Sequence, residues 1–102
     1  MEEFSKIREW AEVRGIYKNG DSKTQLIKAF EEMGEISKFL LKKNHGEVID
    51  GVGDVVVVLT NFIKLYSQEN GLDVEVEDCI RISYQEISDR KGKMVNGTFE
   101  KE

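Results

Sequence analysis

Five acidic residues in this sequence stand where they could do chemistry together. Glu31, Glu32 and Glu35 form the first group. Positions 32 and 35 are one helical turn apart, so on a helix their carboxylates share a face. Asp50 and Asp54 form the second, four residues apart and again on one face. Like charges at these spacings weaken an isolated helix by a few tenths of a kcal/mol (~0.2–0.5). A divalent cation would offset that repulsion; so would solvation with help from Lys28 and Lys38, the commoner arrangement on helices. The second group is interleaved with Gly51 and Gly53, each costing about 1 kcal/mol relative to Ala inside a helix. It reads either as a helix N-terminus capped by Asp50, or as a second pair of hard oxygen ligands with room for close approach.

The elements that must carry these groups follow from apolar spacing. Phe4, Ile7, Trp10, Ala11 and Val13 predict a helix over about Glu3–Arg14. Gly15 and the run Lys18–Ser22 predict a loop. A second helix is expected over Lys23–Lys43, with Leu26, Phe30, Met33, Ser37 and Leu40 as its stripe. Asp21 or Ser22 is its expected cap, and Ser22 with Gln25 fits a capping box. The third block, Glu47–Asn70, contains Val55–Val58, which suits a strand, but its apolar run continues to Tyr66 without a breaker. That length predicts a helix. It is apolar around most of its circumference, which in so small a chain points to a partner subunit. Asn70-Gly71 closes it. A fourth helix is expected over Val74–Arg90, ended by Gly92, with Cys79 on its apolar face and an extended tail packed on the surface. The expectation is an all-α four-helix bundle, oligomeric, forming a single domain over 1–102.

A short turn at Asn44-His45-Gly46 would set the second and third helices antiparallel. Glu35 lies about nine residues before the turn and Asp54 about nine after it. At ~1.5 Å rise per residue, both stand at the same height. Four carboxylates from Glu32, Glu35, Asp50 and Asp54 would then suit Mg²⁺ or Mn²⁺.

With these residues in place, Glu32-Met33-Gly34-Glu35 followed by Gly53-Asp54-Val55 resembles the E-x-x-E … E-x-x-D signature of the MazG-like, all-α nucleoside triphosphate pyrophosphohydrolases. The stretch Asp89–Gly97 is similar to the tail of small members, including phage-encoded ones. The resemblance covers about Leu26–Thr98. It departs from the pattern at Gly51, where the family has Glu; an acid stands one residue earlier, at Asp50. The resemblance implies hydrolysis between the α and β phosphates, giving a monophosphate and pyrophosphate. It implies catalytic and metal-ligand roles for Glu32 and Glu35, with Asp54 as a further ligand, Mg²⁺ as cofactor, and assembly as a dimer or tetramer.

Other residues have two readings each. Lys38 either reaches a phosphate or screens its carboxylate neighbours. Asn61, on the face of Asp54, either contacts substrate or bridges two helices. Trp10 either stacks a base or fills the core. Arg90, Lys91 and Lys93 either close over phosphates or compensate a helix C-terminus.

Composition bounds all of this. The chain has 102 residues, 34% charged and 39% hydrophobic, with no Pro, the profile of a folded globular domain. The longest apolar run, Val55–Leu59, is too short to span a bilayer. The acidic Met1-Glu2-Glu3 start predicts no secretory leader, and the lone Cys79 cannot form an internal disulfide. A cytoplasmic protein is expected. The net charge of −5 argues against nucleic acid as a partner, yet a nucleoside triphosphate remains compatible if a cation lies between the two negative sets. The rivals are a helical oligomer that binds nucleotide or metal without turnover, and a purely structural partner-binding module.

Overall fold

The computed structural model describes residues 1–102. It is predominantly helical, with five helices and a terminal β-hairpin in place of the four helices and extended tail expected. Helix α1 spans Glu2–Val13 and buries Phe4 and Ala11, seven residues apart on one face. Gly15 then takes a left-handed conformation at φ 77°, which favours glycine. This turn restarts the chain as a short helix, α2 (Ile16–Asn19), where a loop was expected. Tyr17 is buried there, and with Ala11, Leu65 and the adjoining Ile16 it forms the main apolar cluster.

Helix α3 spans Ser22–Leu41. Asp21 is its cap: the carboxylate accepts from the Thr24 amide at 2.8 Å and the Thr24 hydroxyl at 2.9 Å. The expected Ser22/Gln25 capping box does not form, because Ser22 is drawn elsewhere. Its amide donates to Glu69 at 2.8 Å and its hydroxyl donates to the same carboxylate, tying the start of α3 to the far end of the next helix.

That helix, α4, runs from His45 to Asn70. The valine run is helical, as its length predicts. Asn44 caps it by accepting from the Glu47 amide at 3.3 Å, and Gly71 closes it in the left-handed conformation at φ 65°. Helix α4 begins two residues earlier than expected. Asp50 is therefore its sixth residue, inside the helix, and the reading of Asp50 as an N-cap is excluded. α3 and α4, joined by Lys42–Asn44, form a closely packed helical hairpin, the scaffold on which both acidic groups sit.

Helix α5 (Val76–Ser88) is shorter than expected at both ends and opens with a capping box between Glu75 and Asp78. Arg8 anchors α1 to it, donating two 2.7 Å hydrogen bonds to the Glu77 carboxylate. Glu75 meanwhile accepts from Lys64 of α4 at 3.0 Å. Strands β1 (Gly92–Val95) and β2 (Thr98–Lys101) then pair antiparallel, with Val95 opposite Thr98. The expected packing of this tail on the surface is not found: strand residues 92–101 make no hydrogen bond to a helix.

The core is sparse. Seven apolar residues are buried: Phe4, Ala11, Tyr17, Ala29, Val58, Leu65 and Val76. Meanwhile Ile27, Phe30, Leu40, Leu41, Ile49 and Val52 stand exposed along α3 and α4. The accessible surface is 7846 Å², whereas a compact monomer of 11.7 kDa exposes about 5,900 Å². The radius of gyration, 16.0 Å, likewise exceeds the roughly 13 Å of a compact chain this long.

Candidate functional site

Helix α3 presents Glu32 and Glu35 one turn apart, and α4 presents Asp54 towards them across the helical hairpin. Their proximity shows in the electrostatics. Partial burial pushes the Glu32 carboxyl above its ordinary range, and the negative charges of Glu35 and Asp54 push it further, with Lys28 opposing them and Glu31 adding slightly. None of Glu31, Glu32, Glu35, Asp50 or Asp54 lies in an ion pair. The protein thus keeps like charges together without a Lys or Arg to neutralise them directly. Carboxylates are hard oxygen donors of the kind Mg²⁺ takes, so the donor chemistry fits a divalent cation. As the side chains stand, no three acidic, His or Cys side chains converge on one point.

Beside these acids lies an open groove of about 650 Å³ between α1, α3 and α4. Glu32 and Asp54 mark one side of it. Ile7, Trp10, Val57 and Val58 supply an apolar wall, and Lys6 and Lys28 supply positive charge. The Arg14 guanidinium covers the Trp10 ring at 4.3 Å from its centroid. A groove with an aromatic wall, two cations and a rim of unpaired carboxylates has the parts needed for a phosphorylated ligand with a planar group.

Asp54 also borders a second groove, with Asp50, Ile49 and Gly53 on α4 and Glu3, Phe4 and Ile7 on α1. Asp50 belongs to this side and does not line the groove that Glu32 borders. Gly51 is buried where α4 crosses α3; a Cβ placed there would stand 2.7 Å from Ile36 Cγ1. The glycine is thus a close-approach residue between helices.

Of the remaining expected site residues, only Trp10 reaches the groove. Asn61 is buried and accepts a 2.6 Å hydrogen bond from the Tyr17 hydroxyl. Burial also pushes that phenol up to about 12. Asn61 is therefore the helix bridge, and its distance from the groove follows from that engagement. Lys38 is exposed on α3 beyond Glu35 and does not line this groove. Arg90 is held by Glu86 at 3.0 Å at the end of α5, and Lys91 leads into the hairpin, so neither reaches the acids within one chain. Lys6 and Lys28 went unassigned in the sequence as ligands of substrate. Lys28 stands one turn before Glu32, a spacing that could have found it; Lys6 carries no such signal.

No protein-family profile matches the chain, and no solved structure matches it significantly. An uncharacterized 18.2 kDa protein of the rep-hol intergenic region of Haemophilus phage HP1 (strain HP1c1) is 30% identical over 71 residues, 70% of this chain. The chain spans 41% of that protein's length, and its name states no activity. No helix is long and apolar enough to cross a membrane.

Proposed function

We propose that the chain is a cytoplasmic, MazG-like nucleoside triphosphate pyrophosphohydrolase, dependent on Mg²⁺ or Mn²⁺ and active as a homo-oligomer whose helices complete a bundle between copies. The observation that carries this reading is the pair of unpaired acids Glu32 and Asp54 bordering a groove with Trp10, Lys6 and Lys28, with Glu35 one turn further along α3 and close enough to act on the Glu32 charge. Glu32, Glu35 and Asp54 would hold the ion. When bound, it supplies charge neutralisation of the polyphosphate and acidifies water for attack on phosphorus. The chain's own residues do the rest. Lys6 and Lys28 offset phosphate charge, Trp10 and Ile7 shelter the base, and the Glu35 carboxylate takes a proton from the attacking water. The excess surface of about 2,000 Å² over a compact monomer supports assembly, since a stable interface needs roughly 800 Å² per partner.

One observation favours a second reading, a nucleotide- or metal-binding oligomer with weakened turnover. The position of the family's fourth acid is Gly51, sealed against Ile36, and Asp50 faces the neighbouring groove. Pyrophosphate release, assayed over a nucleotide panel with Mg²⁺ and Mn²⁺, separates the readings. Release lost on chelation supports the enzyme. Binding of nucleotide without release supports the second, and neither binding nor release overturns both.

A further inference from the structure

The terminal hairpin cannot be explained by its own chain. Its turn is built for a tight connection: Asn96 and Gly97 both take positive φ, 50° and 82°, as a two-residue hairpin turn requires. Met94 faces Phe99 across the strands, and Phe99 folds towards Gly92, where a Cβ would stand 2.7 Å from its ring. Two four-residue strands are marginal in water without a surface to rest on. Yet Met94 is 66% and Phe99 46% exposed, and the hairpin makes no more than marginal contact with any helix.

A matching surface lies elsewhere. Between α4 and α5 runs an apolar groove of about 590 Å³, lined by Phe62, Cys79, Ile80, Tyr84 and Ile87 among others, eight of its nine lining residues hydrophobic. None of the hairpin's own residues lines it. The chain's exit from α5 is fixed by the Arg90 amide on the Ile87 carbonyl at 3.0 Å and by the Arg90–Glu86 pair. Charge favours a meeting of the C-terminal segment with the body of a second copy, the groove itself being uncharged. Residues 90–102 hold four cations against two acids, a charge of +2, so the remaining 89 residues carry −7 of the total −5.

We propose that the hairpin is an exchange element: its Met94–Phe99 face seats in the α4–α5 groove of a second copy, which returns its own hairpin. The occupant is a second copy because the excess surface of about 2,000 Å² exceeds what one side of a stable dimer buries. A reciprocal exchange also closes with two-fold symmetry and leaves neither groove open. The inference rests on the homo-oligomer part of the proposed function and not on its catalysis.

Sedimentation velocity and cross-linking of the full chain test it. Phe99→Asp is expected to weaken association at least 100-fold while helical circular dichroism is unchanged. Phe99→Cys, oxidised, is expected to give a covalent dimer through the native Cys79 of the second copy, lost in Phe99→Cys/Cys79→Ser. A wild-type oligomer untouched by Phe99→Asp overturns the exchange and leaves assembly standing, as does a covalent dimer that survives without Cys79. A wild-type chain that stays monomeric at about 100 µM, where mass action would favour even a weak dimer, overturns both exchange and assembly.

Discussion

A single methyl at Gly51 tests how α3 and α4 are held together. In an exposed helix interior, Gly→Ala stabilises by about 1 kcal/mol. At Gly51 the added Cβ would lie 2.7 Å from Ile36 Cγ1, about 1 Å inside ordinary carbon–carbon contact. Ile is branched at Cβ and keeps essentially one χ1 rotamer in a helix, so Ile36 cannot swing aside. The helices must move apart, and overpacking of this kind costs about 1–3 kcal/mol. The opposing effects leave Gly51→Ala destabilised by about 1 kcal/mol, which lowers Tm by roughly 4–8 °C in a domain of this size.

The assay is thermal or urea unfolding at fixed protomer concentration, in the wild-type and Ile36→Ala backgrounds. With Ile36 truncated the obstruction is gone, and Gly51→Ala should stabilise by about 1 kcal/mol. The sign reversal is the signature, a coupling of about 2 kcal/mol between residues in contact. Equal effects of Gly51→Ala in both backgrounds would refute the close-approach role. Gly51→Glu meets the same obstruction with a longer side chain and is expected to lose stability without gaining a metal ligand. Spreading α3 from α4 should also raise the Mg²⁺ concentration needed for turnover, since Glu32 and Asp54 stand on opposite sides of that contact.

Glu35→Gln should abolish pyrophosphate release while leaving the circular dichroism of the fold intact, because a neutral amide is a poor ligand for a hard dication; wild-type turnover would remove Glu35 from the site. Glu32→Gln should melt higher than wild type at pH 7 without metal, because the burial and then the repulsion from Glu35 and Asp54 that raise the Glu32 carboxyl both penalise its charge and disappear with it. Adding Mg²⁺ should raise Tm for wild type and not for this variant, and equal shifts in both would count against the site. Tyr17→Phe leaves Asn61 Oδ1 buried without its donor and should cost about 1–3 kcal/mol in urea unfolding. The Arg8 guanidinium holds the Glu77 carboxyl below its ordinary 4.5, so the stability this pair contributes is present above that value and lost as pH falls through the lowered one. The Tm gap between wild type and Arg8→Met should therefore narrow on acidification below 4.5; a constant gap would show that Arg8 acts by packing alone.

What the sequence makes legible is set by how local each cause is. The helical periods of α3 and α4 and the face shared by Glu32 and Glu35 depend only on local spacing, so the sequence reveals them. The expected α3 stripe of Leu26, Phe30, Met33, Ser37 and Leu40 is nevertheless exposed, because α4 packs on the neighbouring face that carries Ala29 and Ile36. Helix α2 does not appear, because four residues are too few to show a period and Gly15's left-handed turn reads equally as the start of a loop. Ser22 looks like a capping residue from its neighbours alone, but Glu69, forty-seven residues away, takes its hydroxyl. Asn61 announces from its apolar surroundings that it needs a partner; that the partner is Tyr17 is a tertiary fact.

Gly51 shows how a site can be misread when only one of two helices is visible. Its position relative to Asp54 reads as room for a ligand, and in the sequence nothing distinguishes a glycine that makes room for substrate from one that makes room for a neighbouring helix. The crossing decides it. Ile36 follows Glu35 directly, so the residue that seals Gly51 is fixed by the same helix that carries the acids. A side chain at position 51 that forces the two helices apart therefore also moves the carboxylates. The spacing of the two helices and the placement of Glu32 and Glu35 relative to Asp54 are one property of the fold, so an acid placed at position 51 would shift them against one another.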